Sequence, residues 1–436
     1  MPALSPPGPV LEIAKRLESE GFETWCVGGA VRDALLGHPH LDWDLATAAT
    51  PQQVRRLFPR TIPVGIEFGT VGVLDKHGTM HEVTTFRRDV ETDGRHAVVT
   101  FGATIDEDLA RRDFTINALA YHPGSSRFHD PFEGRQDIAR RVIRAVGEPH
   151  ERMREDRLRA LRAIRFAARF DFAIDPETWR AIVDSAPHLG RLSAERVKQE
   201  LEKTMEQVER PGSALELWRE AGALRALLPA IESISSATLR TLDHLPRAIG
   251  KRAGQRKMLR LVALFTELSP RDAERTARKL RFSNQQIAWI RALVEHEKTV
   301  RADIIGAHPA GEPPSPQRIR KWIALAGRTR APSVMRLVTA RFCAERDAGQ
   351  PVPTAETMSR LYRRVLRSTF RDPVEVSDLA VSGDDLRSAG IEEGPEMGWV
   401  LHRLLDFVLE DPRRNTVDEL LRLASEQSIR HRGGER

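Results

Sequence analysis

Cysteine is nearly absent from this sequence. Cys26 and Cys343 are the only two among 436 residues, which excludes a disulfide framework and a cysteine-built zinc site. Long hydrophobic runs are missing too: no apolar stretch reaches the ~18–20 residues that a membrane helix needs. The opening MPALSPPGPV has neither the basic n-region nor the apolar h-region of a secretory signal. The 14 histidines fall at no metal-ligand spacing. Nor does one sign of charge dominate. The 68 Lys+Arg against 62 Asp+Glu leave +6, which suits a polyanionic partner and equally suits plain solubility. The expectation from these absences is a soluble, cytoplasmic protein that does not enter the membrane.

What is present suffices for several cores. Hydrophobic residues make up 40%, and the length suits two to four domains better than one. Residues 1–9 are proline-rich and expected to be loose. Residues 10–20 place Val10, Ile13, Ala14 and Leu17 on one helical face, with Gly21 as a C-cap candidate. A short strand at 23–27 runs into Gly28 and Gly29, and a helix from Val31 ends at Gly37 and Pro39. Segments 42–45, 69–74, 81–85 and 97–101 read as strands, and 51–58 as a helix. The first ~145 residues are therefore expected to be α/β or α+β with a mixed sheet. After Gly147 strand signals nearly vanish, and helical patterns run to the end, broken at 306–316 and 351–353. There is no internal repeat.

Several segments carry chemistry. In VGGAVRDALLG, residues 27–37, the pair Gly28-Gly29 between strand and helix permits close approach of backbone N–H groups to a phosphate, to which Arg32 adds a guanidinium. A glycine pair there also serves as a plain turn. In Asp42-Trp43-Asp44, strand spacing points two carboxylates to one side, about 6–7 Å apart at their backbones. Two such carboxylates either hold Mg²⁺ beside a triphosphate or sit on a solvated edge. Glu82 is a possible third carboxylate, or a surface residue in a salt bridge. In RRDFTINAL, Arg111 and Arg112 can meet phosphate. Asp113 can pair with one of them or accept from a ribose hydroxyl, and Asn117 can add an amide to phosphate or sugar.

Residues 155–165, EDRLRALRAIR, are the most informative. Asp156, Arg159, Arg162 and Arg165 recur every three residues, which predicts a polar stripe on one helix opposite Leu158, Leu161, Ile164 and Phe166. Asp156 and Arg159 can form an intrahelical ion pair. They can also read a base edge. Cytosine and adenine each present an amino donor beside a ring-nitrogen acceptor, matching carboxylate and guanidinium; uracil and guanine present the reverse. Arg162 and Arg165 remain for phosphate or primer.

The ordered set GGAVRD, DWD, EVTTFRRD, RRDFTINALAY, DPFEGRQDI, EDRLRALRAIRF and SAERVKQELEK resembles the class II tRNA nucleotidyltransferases, the CCA-adding enzymes, whose relatives are the bacterial poly(A) polymerases. The resemblance implies an α+β head with a mixed nucleotidyltransferase sheet, followed by an all-α neck, body and tail. The implied division is a catalytic head over 1–147, a neck with the base-selecting helix over 148–210, a body over 211–330 and a tRNA-binding tail over 331–436. It implies that Gly28, Gly29 and Arg32 bind the incoming triphosphate, that Asp42 and Asp44 carry Mg²⁺ with Glu82 as a further catalytic candidate, and that Arg111, Arg112, Asp113 and Asn117 meet phosphates and sugar. Asp156 and Arg159 match the amino-acid template for C and A, with Arg162 and Arg165 beside them, and Glu195 and Arg196 match the helix that braces it. Residues 130–137 resemble the hinge between head and neck.

Residues 379–421 and 64–73 resemble the CCA-adding rather than the poly(A) form, which favours the tRNA acceptor arm as primer and CTP and ATP as substrates. Basic helices of the body, such as 247–260 and 318–330, are expected to give some residues to a phosphate-tracking surface. Residues 87–101, with Asp93-Gly94-Arg95, resemble the loop needed to switch from C to A, which favours complete CCA addition over CC alone. Where some members carry a His-Asp phosphohydrolase pair, this chain has Phe265 and Thr266, and no such metal site is expected. A poly(A) polymerase, a CC-adding enzyme and a non-catalytic tRNA-binding factor are the alternatives; the oligomeric state stays open.

Overall fold

The computed structural model describes residues 4–38, 42–92, 97–246, 252–307 and 313–434. Asp93-Gly94-Arg95, Pro39, residues 247–251 of the basic body segment and 308–312 of the linker candidate lie outside the described residues. The chain forms two compact units, one of residues 1–204 with 214–229 and one of 205–213 with 230–436.

The first unit is built on strands β1 (Thr24–Val27), β2 (Asp44–Thr47), β3 (Thr61–Gly65), β4 (Thr70–Leu74), β5 (Met80–Thr85), β6 (Arg87–Thr92), β7 (Ala97–Phe101), β8 (Ala120–His122), β9 (Arg127–His129), β10 (Val142–Ile143) and β11 (Ala173–Ile174). Seven of them make a mixed sheet in the order β3-β4-β5-β2-β1-β8-β9. The pair β2–β5 is parallel and the other neighbours are antiparallel. Strands β6 and β7 form a separate hairpin, and β10 and β11 a two-residue parallel pair. The helices are α1 (Gly8–Ser19), α2 (Gly29–Leu35), α3 (Pro51–Leu57), α4 (Ile105–Ala110), α5 (Gly134–Arg140), α6 (Pro149–Glu155), α7 (Leu158–Phe170), α8 (Pro176–Ser185) and α9 (Ala194–Gln207), with two more over Pro211–Glu220 and Ala223–Leu227.

Burial explains the layers. All four residues of β1 are buried, as a central strand covered on both faces requires. On one face Trp25, Val27, Ala46 and Phe86 pack with Ile105, Leu109, Ala118, Ala120 and Val146. The stripe Val10, Ile13, Ala14 and Leu17 of α1 is buried where that helix packs on β1 and β2. Each such aliphatic side chain stabilises by about 2 kcal/mol when fully buried. Helix α4 opens on a capping box that carries no sequence prediction: Thr104 and Glu107 cap each other's backbone N–H groups.

Three readings need correction. The predicted single helix over 155–165 is broken at Asp156, which has φ −146° and ψ 104°. Helix α6 ends before it and α7 starts after it, so Asp156 shares no helix with Arg159, Arg162 and Arg165. Strand β2 begins at Asp44, not Asp42. Strands β3, β6, β8, β9, β10 and β11 carry no sequence prediction. Strands β8 and β9 have three residues each and β10 and β11 two, too few to show alternation, and Pro63 in β3 argues against a strand except at an edge, where β3 lies.

The second unit is helical, with no strand among its described residues. Arg260, 1% exposed in helix Ala253–Ala263, binds four carbonyls at the C-terminal ends of helices Ala194–Gln207 and Ser236–Asp243 that no helical bond satisfies. Nη1 donates to Met205 O and Val208 O at 2.9 Å, and Nη2 to Glu209 O at 3.2 Å and Leu245 O at 3.0 Å. Replacing it by methionine keeps the volume and strands the carbonyls. Arg260→Met is expected to lower unfolding free energy by about 3 kcal/mol, read as a lower urea midpoint with unchanged slope.

Candidate active site

The first unit contains a cavity of about 450 Å³. Its floor is the turn from β1 into α2. Gly28 caps α2 with φ 74°, a conformation that costs a side-chain-bearing residue. A Cβ there would also lie 2.8 Å from Arg112 Nη1. The turn thus brings backbone and guanidinium together in one place.

Arg32, 4% exposed, is held by the Asp33 carboxylate at 2.6 Å, by the Asn117 side-chain oxygen, and by the ring faces of Phe166 and Phe170 at 5.0 and 4.8 Å. Burial pushes its pKa down, and Asp33 works against that. Asp33 also accepts from Arg169 at 3.0 Å. Asp113 is 8% exposed and accepts from Arg162 Nε at 2.8 Å and Nη2 at 2.6 Å, from the Asn117 amide at 2.8 Å and from its neighbour's N–H, Phe114 N, at 2.9 Å. Burial alone would raise its pKa, but Arg162 and these donors outweigh that and hold it at about 2. Of the two roles open to Asp113, pairing with Arg111 or Arg112 is not what forms. Those arginines bind Asp108 at 3.2 and 3.1 Å, and Asp108 is 1% exposed.

The break between α6 and α7 shapes the opposite wall. Asp156 Oδ1 accepts from Leu158 N at 3.0 Å, capping α7, and Oδ2 accepts from Arg196 at 2.7 Å. Arg159 does not pair with Asp156. It binds Glu155 at 2.6 Å and donates to Arg152 O and Arg111 O at 3.0 Å. Arg152 binds the other oxygen of Glu155 and donates to Ala110 O at 3.1 Å. These two arginines therefore satisfy carbonyls at the end of α4.

Ten of the fourteen residues that the sequence assigns to nucleotide, metal or catalysis line this cavity: Gly28, Gly29, Arg32, Asp44, Arg112, Asp113, Asn117, Asp156, Arg159 and Arg162. Four do not. Arg111 lies behind the wall with Asp108. Arg165 is 3% exposed and bound to buried Glu200, with its guanidinium 4.3 Å from the Phe166 ring, so it braces the wall. Asp42 is exposed, two residues ahead of β2. Glu82 is half-buried on β5. The parallel register that pairs Leu45 with Val83 sets Glu82 beside Asp44 on the next position.

Burial over 42–44 runs exposed, buried, half-buried, so both carboxylates reach solvent while Trp43 packs inside. Among the described residues no three His, Cys, Asp or Glu side chains converge tightly enough to hold one ion. An all-oxygen donor pair beside cationic groups fits a hard divalent cation that takes its other ligands from water and phosphate.

Leu158, Phe166 and Arg196 also line the cavity, Leu158 and Phe166 without an expected role there. Asp33, Asp108, Glu155 and Glu200 were missed as supports. Asp108 stands three and four residues before Arg111 and Arg112, a helical pairing that was legible. Glu200, 35 residues from Arg165, gave no local signal.

Residues 24–144 match the family described as Poly A polymerase head domain, and residues 171–235 that described as Probable RNA and SrmB- binding site of polymerase A. The CCA-adding enzyme of Lacticaseibacillus paracasei is 33% identical over 426 residues, covering 96% of each chain. That of Geobacillus stearothermophilus is 43% identical over 257 residues, 58% of this chain and 57% of the other. The crystal structure of the Bacillus stearothermophilus CCA-adding enzyme in complex with CTP is 33% identical, covers 99% of this chain and 100% of that one, and superposes with a TM-score of 0.77.

The low pKa of Asp113 has a consequence for stability. The unfolded carboxyl titrates near 3.9 and the folded one at about 2, so its contribution of about 2 kcal/mol is present above pH ~4 and lost as pH falls towards 2. Asp113→Asn is expected to be less stable than the parent at pH 6, with the difference shrinking towards pH 2. Urea titrations at both pH values measure it.

Proposed function

The chain belongs to the CCA-adding enzyme family, and on that basis we propose that it adds C, C and A to the 3′ end of tRNA from CTP and ATP, releasing pyrophosphate. The observation that carries the reading is the meeting of the glycine turn, Asp44, Arg112 to Asn117, and Asp156 with Arg159 around one cavity. These segments are far apart in the chain and match the needs of triphosphate, metal, sugar and base in turn.

The residues divide the work by their chemistry. Gly28 and Gly29 present backbone N–H groups, and Arg32 and Arg112 guanidinium charge, to the triphosphate. Asp113 and Asn117 orient the sugar. Asp156 accepts from the amino group of cytosine or adenine, Arg159 donates to the adjacent ring nitrogen, and Arg196 holds Asp156 in place. Arg162 keeps Asp113 ionised and adds charge beside the phosphates. Enzymes of this kind use a divalent metal. Asp42 and Asp44, with Glu82 beside them, are the ligands we assign to Mg²⁺, which when bound lowers the pKa of the primer hydroxyl and neutralises the departing pyrophosphate. The hydroxyl oxygen forms its bond to the α-phosphorus as the bond to the β-phosphate oxygen breaks. Arg111 and Arg165 act through the wall and not on the nucleotide.

We assign catalysis to 1–147, base selection to 148–210, and a body and tRNA-binding tail to 211–330 and 331–436. No helix among the described residues is long and apolar enough to cross a membrane, and cytoplasmic action follows from the substrate. The full-length segment 87–101 supports complete CCA addition.

A tRNA transcript lacking CCA tests this with CTP, ATP or both on a sequencing gel. Growth by two with CTP and by three with both is expected. Stopping at two with both present means a CC-adding enzyme, ladders with ATP alone a poly(A) polymerase, and no growth a binding factor. Asp44→Ala is expected to slow incorporation roughly a thousandfold; near-normal rates would remove the metal assignment. Asp156→Ala is expected to admit UTP and GTP at measurable rates while retaining some CTP incorporation. Unchanged base selection in that variant would refute the template role.

A further inference from the structure

In-line displacement sets the attacking hydroxyl and the departing pyrophosphate on opposite sides of the phosphorus. The glycine turn follows β1 directly, so the triphosphate side of Asp44 is the β1 side. A primer must then arrive from the other side, across β5, β4 and β3, which is the outer strand. The register states what it meets there. Continued one residue back from Leu45 and Val83, the β2–β5 register sets Glu82 next to Asp44; Gly72 pairs with Glu82, and Ile62 with Gly72. Directly paired residues share a face, so Asp44, Glu82, Gly72 and Ile62 form one row across the sheet.

Past the carboxylates this row turns apolar and open. A Cβ at Gly72 would lie 2.7 Å from Met80 Sδ and 3.0 Å from Val64 Cγ2, so those two side chains close over the glycine. Ile62, Val64 and Met80 are nevertheless 41, 42 and 38% exposed. Three strand spacings of ~4.8 Å put the far edge of this surface about 14 Å from β2.

We propose that Ile62, Val64 and Met80 form a shelf that carries the unpaired 3′-terminal bases of the RNA primer. The inference rests on the reading of the site as an RNA-extending nucleotidyltransferase. Bases, not phosphates, fit the shelf: it carries no charge, and Glu82 next to it repels phosphate but not an uncharged ring face. An aliphatic surface offers no hydrogen-bond readout. It therefore accepts each of the successive 3′ ends that one active site must hold as the primer grows, by contact that is tolerant of sequence. Arg60, exposed just before β3 with Nη1 donating to Asp75 O at 3.3 Å, supplies cationic charge at the rim.

The test is steady-state kinetics of A addition to a tRNA ending in CC, varying primer and ATP separately. Ile62→Ser with Val64→Ser, and Met80→Ser alone, change exposed side chains and leave the cavity untouched. Each is expected to raise KM for primer about tenfold, the scale of losing a buried aliphatic contact, with KM for ATP and kcat at saturating primer within about twofold. Ile62→Leu with Val64→Ile is expected to restore the parent value. Primer KM unchanged, or primer and ATP KM rising together, overturns the shelf. So does a change of molecular mass in sedimentation with primer KM unaltered, which would assign the surface to a second copy of the chain. Failure of the parent protein to extend any primer is a separate result, and it overturns the functional reading beneath the proposal.

Discussion

Four arginines crowd around two stacked rings, and the rest of the site depends on their being tolerated there. Phe166 and Phe170 lie 6.0 Å apart and nearly parallel. Arg32, Arg162 and Arg165 lie within 5.3 Å of the first ring, and Arg32 and Arg169 within 4.8 Å of the second. Like charges at such spacing repel, and burial removes the water that would screen them. Each is answered by a carboxylate: Asp33 serves Arg32 and Arg169, Asp113 serves Arg162, and Glu200 serves Arg165. Losing any one carboxylate strands a guanidinium in low dielectric. The pairs therefore hold α2, α7, α9 and the segment after α4 in a single arrangement, in which Arg32 and Arg162 line the cavity before any anion arrives. Charge organised in advance is what stabilises a reacting triphosphate without reorganisation at the moment of reaction.

The second constraint is the interruption at Asp156. A continuous helix would have turned this carboxylate along the stripe with its neighbours. Instead the chain leaves helical geometry for one residue, and the aspartate caps the next helix with one oxygen while the other faces Arg196. Rotation of the side chain is thereby limited at both ends. Arg159 is limited similarly by Glu155 and two carbonyl oxygens. A reader of base edges needs donors and acceptors in fixed positions, since a pair free to rotate would satisfy either pattern. The same bonds that complete the ends of α4 and α6 also immobilise the cavity wall.

The sheet divides polar from apolar duties across β2. Towards β1 lie the glycine turn and the guanidinium groups; towards β3 lie glycine, aliphatic side chains and open surface. Asp44 stands at the boundary, half-buried, with Glu82 as its neighbour on the other side. The mixed topology makes this possible, because the parallel β2–β5 pairing is what sets the two carboxylates side by side.

Much of this was legible in the chain. The amphipathic stripe of α1, the glycine pair after β1 and the shift from strands to helices after Gly147 are local signals of period and turn, and local physics decides them. Ten cavity residues were legible because their types suit one chemistry in one order. What the sequence did not contain was pairing. It suggested Asp113 with Arg111 or Arg112, and Asp156 with Arg159, since those are near in sequence, whereas folding joined Asp113 to Arg162 and Asp156 to Arg196. It placed Arg165 at the nucleotide, and Glu200 drew it into the wall. Three-residue periodicity continues through Asp156 although the helix does not. By itself, then, the sequence determined which side chains could serve phosphate, metal and base. Only the tertiary structure decided which of them reach the cavity, because a buried charge takes whichever partner the packing of distant segments brings within hydrogen-bond distance.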